Sequence, residues 1–161
     1  AYGRNGTKGL LTTSAANWDM VKFLSPGANR VIAGMWVYNH DNSSSPPTQR
    51  VLGFNSNTGS SITVRFNVPR LWVEGTGVTG QSIGGPGHGQ GLTWLFIELM
   101  WEPGVAYEVR VNTETIASGS AGGSGTPSEF LFFSGSSGSR PRFRIDDVYI
   151  LDSTEIGRAH V

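Results

Sequence analysis

Cleavage of a glycosidic bond needs two carboxyl groups about 5 to 9.5 Å apart across the scissile bond. Two residues along a strand span ~7 Å, so a Glu-x-Asp or Glu-x-Glu strand motif would supply such a pair. This chain carries no such motif. Glu98 and Glu102 share a parity but would stand ~13 Å apart along an extended strand, and the adjacent Asp146 and Asp147 would face opposite ways unless a bulge intervenes. A pair assembled from separate strands stays open; the expectation is no catalytic residue and no enzyme. A hard cation takes several carboxylate and carbonyl oxygens, so Asp146-Asp147 alone offers too few ligands, and neither a metal nor a cofactor is expected.

Two further patterns match chemistry only on paper. Gly75-Thr76-Gly77-Val78-Thr79-Gly80 has the spacing of a dinucleotide fingerprint, yet the glycines must open a helix whose N-terminus receives the pyrophosphate, and here Gly and Pro continue to Gly91. Gly80-Gln81-Ser82-Ile83-Gly84 spells a nucleophile elbow, which needs a strand-turn-helix and a partnered histidine. His88 lies only six residues on, in the same glycine-rich run.

What remains suits binding better than catalysis. Arg140, Arg142 and Arg144 share a strand parity and would set guanidinium groups ~7 Å apart. They make either a solvated face or a contact for an acidic glycan, a phosphate or a neighbouring subunit. Trp36, Trp72, Trp94 and Trp101 offer flat rings for sugar stacking. Most belong in a core, but Trp72 and Trp94 fall on the parity opposite the apolar one. The candidate ligand or interface residues are therefore Trp72, Trp94, His88, Arg140, Arg142 and Arg144.

The elements that must position them read as strands throughout. Period-two runs recur and no sustained 3.6-residue period is found, so the class is all-β. Strands are expected at Lys8 to Thr12, Met20 to Leu24, Val31 to Tyr38, Arg50 to Asn55, Ile62 to Val68, Arg70 to Glu74, Thr93 to Glu102, Ala106 to Asn112, Thr115 to Ser118, Glu129 to Ser134 and Arg142 to Leu151. Val31 to Tyr38 and Thr93 to Glu102 are apolar on both parities and should be central. The alternating strands Ile62 to Val68 and Ala106 to Asn112 should have one wet face. In the last strand the apolar parity changes from Phe143 and Ile145 to Val148 and Ile150, which predicts a β-bulge near Asp146 and Asp147. Gly75 to Gly91, His40 to Gln49 and Ser118 to Ser128 read as loops, the first expected to be mobile in an isolated subunit.

Composition bounds the rest. The 161 residues suit one domain, and 12 basic against 12 acidic side chains leave no net field to draw in nucleic acid or an anionic membrane. No apolar run approaches the ~20 residues that span a bilayer. The 23 glycines suit the turns of a sandwich, and with no cysteine the fold must rest on packing.

The opening Tyr2-Gly3-Arg4-Asn5-Gly6, the segment Trp94-Leu95-Phe96-Ile97-Glu98 leading to Tyr107 through Asn112, and the closing Arg144-Ile145-Asp146-Asp147-Val148-Tyr149-Ile150-Leu151-Asp152 together resemble concanavalin A-like (laminin G-like) jelly-roll proteins of tailed bacteriophages. The resemblance runs from end to end and rests most on the closing strand. It implies an all-β, two-sheet antiparallel jelly-roll sandwich serving as a virion structural protein in the tail, fibre or capsid decoration, with a lectin-like fold and no catalytic residues carried over. Its implied partners are further copies of itself, other virion proteins or a host-surface glycan, and its location the virion or the extracellular space. A bacterial secreted or surface carbohydrate-binding module and a glycoside hydrolase of the same fold are the alternatives. One domain is expected over residues 1–154, truncated at both ends. Glu155 to Val161 back-translates into a common short-read sequencing adapter and is expected to be read-through. Lys8 to Thr12 is expected to form a sheet edge available for self-association.

Overall fold

A computed structural model describes residues 10–12, 20–24, 27–39, 49–67, 70–84, 93–135 and 143–151. Lys8, His88, Arg140, Arg142, most of the loop at 40–49 and the tail from 152 lie outside these residues.

Among the described residues, two six-stranded antiparallel sheets face each other in a jelly-roll sandwich. One sheet has the order β1 (Leu10–Thr12), β12 (Phe143–Leu151), β3 (Val31–Asn39), β8 (Trp94–Glu102), β9 (Ala106–Val111), β10 (Glu114–Gly119). The other runs β2 (Met20–Phe23), β11 (Pro127–Gly135), β4 (Gln49–Ser56), β5 (Ser61–Asn67), β6 (Arg70–Gly75), β7 (Val78–Ile83). We refer to them as sheets A and B. β1 is an edge of sheet A, as expected, and no helix occurs among the described residues.

The alternation decides what faces inward. Ala33, Met35 and Val37 of β3, Leu95, Ile97, Leu99 and Trp101 of β8, and Val109 and Val111 of β9 meet Leu52, Phe54, Ile62, Val64, Phe66, Leu71, Val73 and Phe130 from sheet B. Trp101 stacks on Phe54 with centroids 6.3 Å apart. β3 and β8 are the two middle strands of sheet A, which accounts for their being apolar on both parities.

The run Gly75 to Gly91 departs from the loop expected of it. Residues 78–83 form β7, which pairs antiparallel with β6 through a turn at Thr76 and Gly77. The dinucleotide-like glycines thus lie in a β-hairpin and lead into strand β7 where the motif needs a helix, and Ser82 sits within that strand, so neither motif has the geometry its chemistry requires. Gly77 takes φ +68°, and a Cβ there would run into the backbone of Gly122. That contact is sealed by hydrogen bonds from Gly122 N–H to the Thr76 carbonyl (3.0 Å) and from Gly104 N–H to the Gly122 carbonyl (3.0 Å). Three connections, from both sheets, are thereby joined at one end of the sandwich.

The expected bulge is present. β12 pairs with β3 from Phe143 to Asp146, loses register, and resumes at Tyr149. Asp147 takes φ +49°, and its N–H donates to Asp146 Oδ1 at 3.0 Å. The extra residue lets Ile145 and Ile150 both pack inward although they differ in parity.

Candidate functional site

The outward face of sheet A is where the sequence departs from a plain solvated surface. In the observed register its side chains fall into four rows: Arg144, Tyr38, Trp94; Asp146, Trp36, Phe96; Tyr149, Gly34, Glu98, Arg110; and Leu151, Ile32, Met100, Glu108. The first two rows supply an aromatic strip. Tyr38 and Trp94 lie 5.5 Å apart, Trp36 and Phe96 5.3 Å, and Phe96 stacks on Tyr149 at 6.1 Å with 21° between planes.

The third row holds the chemistry. Glu98 is only 1% exposed although it points away from the sandwich core. Burying a carboxylate is costly unless it is paired and hydrogen-bonded. The Tyr149 hydroxyl donates to Glu98 Oε2, and Arg110 Nη1 stands 3.7 Å from Oε1, an ion pair beyond hydrogen-bonding reach. Oε1 therefore accepts no hydrogen bond. Arg110 is held from behind: its Nη2 donates to the Thr113 carbonyl at 2.8 Å and its Nε lies 3.9 Å from Glu108 Oε1.

Local backbone explains how the sequence places these groups. The bulge at Asp147 turns Tyr149 outward, where an unbroken strand would have sent it into the core. Its ring then lies against Gly34, at which a Cβ would stand 2.6 Å from the ring, so the glycine makes room for the phenol to reach Glu98. The β9–β10 turn places Asn112 and Thr113 at φ +50° and +75°, uncommon for an asparagine and an outlier for a β-branched residue. That conformation aims the Thr113 carbonyl at Arg110. Burial, and then the bond to Glu98, push the Tyr149 hydroxyl well above the usual phenol range. It stays a proton donor.

Of the residues singled out in the sequence, Trp94 and Arg144 share the first row of this face. Trp72 does not join them; it projects from the outer side of sheet B, where its Nε1 donates to Glu74 Oε2 at 3.2 Å and the Arg65 guanidinium lies 5.3 Å over its ring. Trp101 is in the core, and Trp36 lies on the outward face of sheet A. Glu102, the other half of the weighed carboxylate pair, is bound to Arg30 at 2.6 Å. Sequence reasoning missed Tyr149 and Arg110. The signal for Tyr149 was the bulge itself, which carries the residues beyond it to the other face.

No family model and no curated protein matches the chain. Among solved structures it is similar to the alginate lyase AlgAT5 from polysaccharide lyase family 7 (TM-score 0.59, 11% identity, 76% of this chain and 58% of that one). It is also similar to the binding domain of botulinum neurotoxin DC in complex with rat synaptotagmin II (0.63, 13%, 89% and 38%). A third is the Trypanosoma rangeli sialidase in complex with a difluoro-KDN (0.57, 16%, 78% and 21%). The chain thus spans less than two thirds of the length of each of these. At such identities the likeness is one of fold: this chain is an all-β, two-sheet antiparallel jelly-roll sandwich.

Proposed function

We propose that this chain is a glycan-recognising sandwich domain of a tailed-phage virion protein, and that it binds rather than cleaves. The observation that carries the glycan reading is the outward face of sheet A. There the aromatic strip of Trp36, Tyr38, Trp94 and Phe96 adjoins a row of hydrogen-bonding groups, Tyr149, Glu98 and Arg110. Flat rings beside fixed donors and acceptors are the combination that a sugar ring, apolar on its faces and hydroxylated at its rim, requires. Solved structures of the same fold support it: one is of botulinum neurotoxin type C, whose cell entry depends upon interaction with two ganglioside molecules, and another is an alginate lyase. Binding without cleavage is supported by the engagement of the two carboxylates of β8, Glu102 by Arg30 and Glu98 Oε2 by Tyr149. The virion assignment rests on the resemblance of the opening Gly3-Arg4-Asn5-Gly6 and the closing strand to phage jelly-roll proteins.

Two measurements test the halves separately. On a glycan array the purified chain should retain a defined set of sugars, and Trp36→Ala and Trp94→Ala should each lower retention at least tenfold while Trp72→Ala leaves it unchanged. Equal loss from Trp72→Ala would move the site to sheet B. For the virion half, mass spectrometry of purified particles from a producing strain should find this chain at fixed stoichiometry; its presence only in the cell-free secreted fraction would favour a secreted carbohydrate-binding module.

A further inference from the structure

Resting on the glycan reading, we infer that the site selects sugars that present hydroxyl or ammonium donors and rejects acidic sugars, with Glu98 Oε1 as the group that discriminates.

Glu98 is a carboxylate held almost wholly out of water with one oxygen satisfied and the other not. A buried oxygen that accepts no hydrogen bond calls for an explanation, because leaving it so costs more than making the bond gains. Arg110 does not supply that bond. Its guanidinium is tethered to the Thr113 carbonyl and to Glu108, and it meets Glu98 only at 3.7 Å. The Tyr149 hydroxyl is already spent on Oε2. Oε1 is thus an acceptor whose donor comes from outside the row. Reaching it requires the Arg110 side chain, itself 23% exposed, to leave the Thr113 carbonyl and Glu108.

The charges around it decide what that donor can be attached to. Within the four rows the carboxylates are Glu98, Glu108 and Asp146 and the guanidiniums Arg110 and Arg144, an excess of one negative charge on a chain with no net charge. A uronate or sialate would bring its own carboxylate against an already desolvated one, where like charges repel strongly. A hydroxyl or an ammonium group instead completes the missing hydrogen bond. Trp36, half-buried in the next row, offers the face against which the rest of the sugar ring lies.

The experiment titrates the full chain with cellotetraose and lactose as neutral probes and with tetraguluronate and sialyllactose as acidic ones, by calorimetry and saturation-transfer NMR. Neutral probes are expected to bind at least tenfold more tightly, and Glu98→Gln to weaken them at least tenfold while narrowing the gap to the acidic pair. In wild-type protein carrying 13C-labelled glutamate, one carboxyl signal should move on addition of a neutral probe, which keeps the test intact if the variant fails to fold. Tighter binding of an acidic probe, or binding of neutral probes that leaves every glutamate carboxyl signal in place, overturns the selectivity while the glycan reading stands. Binding of none of the four overturns both.

Discussion

The two outward faces of the sandwich carry nearly the same residue types and put them to different uses. On sheet B, Arg65, Trp72 and Glu74 come from adjacent strands; Glu74 accepts from Trp72 Nε1 and pairs with Arg65 Nη2 at 3.1 Å, with both charged side chains partly open to water. On sheet A, Arg110, Tyr149 and Glu98 make the corresponding cluster with the carboxylate sealed from solvent. Each arginine has an Nε that makes no hydrogen bond, so the difference lies in the acid. Glu74 is satisfied and solvated, and Glu98 is neither. Sequence composition alone ranks the clusters as equals; burial separates them, because a charge in low dielectric depends on every bond it makes.

Replacing Leu99, next to Glu98 on β8 but directed into the shared core, sets the upper end of the scale. Leu99→Ala is expected to cost ~2 to 5 kcal/mol by chemical denaturation, since it removes buried methyl groups and leaves a cavity. A cost below about 1 kcal/mol would contradict the core assignment.

Next in size, Tyr149→Phe should cost about 1.5 to 3 kcal/mol by stranding the buried carboxylate. Gly34→Ala should reproduce much of that loss, because its methyl group displaces the Tyr149 ring rather than any backbone. A pH signature accompanies it. The Tyr149 hydroxyl titrates higher in the folded protein than in the unfolded chain, so its contribution is complete below about pH 10, the ordinary phenol value, and declines as the pH rises above that. Wild-type protein should therefore lose stability in alkali more steeply than Tyr149→Phe. Parallel curves would mean that the phenol is solvated.

The smallest effect belongs to sheet B. Glu74→Ala should cost no more than about 1 kcal/mol, and less in high salt, as expected of a partly exposed ion pair. A cost equal to that of Tyr149→Phe would erase the distinction between the faces.

Much of the fold was legible because alternation is a local signal. The parity of β8, its central place and the bulge at Asp146 and Asp147 all follow from which positions are apolar. β7 was not legible, because Gly80 resembles a loop residue. Its role is instead one of close approach, since a Cβ at Gly80 would come within 3.0 Å of the Trp72 indole. The site was legible only in pieces. That Glu98 points away from the core follows from β8 alone, but its meeting with Tyr149 and Arg110 depends on the register of β12 against β3 and of β8 against β9, which pairs residues far apart in the chain. No local pattern carries that information.

The joined end of the sandwich bears on how such a protein can change its specificity. Many sandwich domains diversify through loops clustered at one end. Here the turn at Thr76 and Gly77, the turn at Gly104 and the connection through Gly122 hold one another by backbone bonds, and Gly77 and Gly122 approach too closely for a side chain on either. Length or sequence variation in any one of them would unseat the other two. Variants with altered ligand preference should therefore arise by single exchanges at outward positions of β3, β8, β9 and β12, one row at a time, rather than by grafting new loops onto this end.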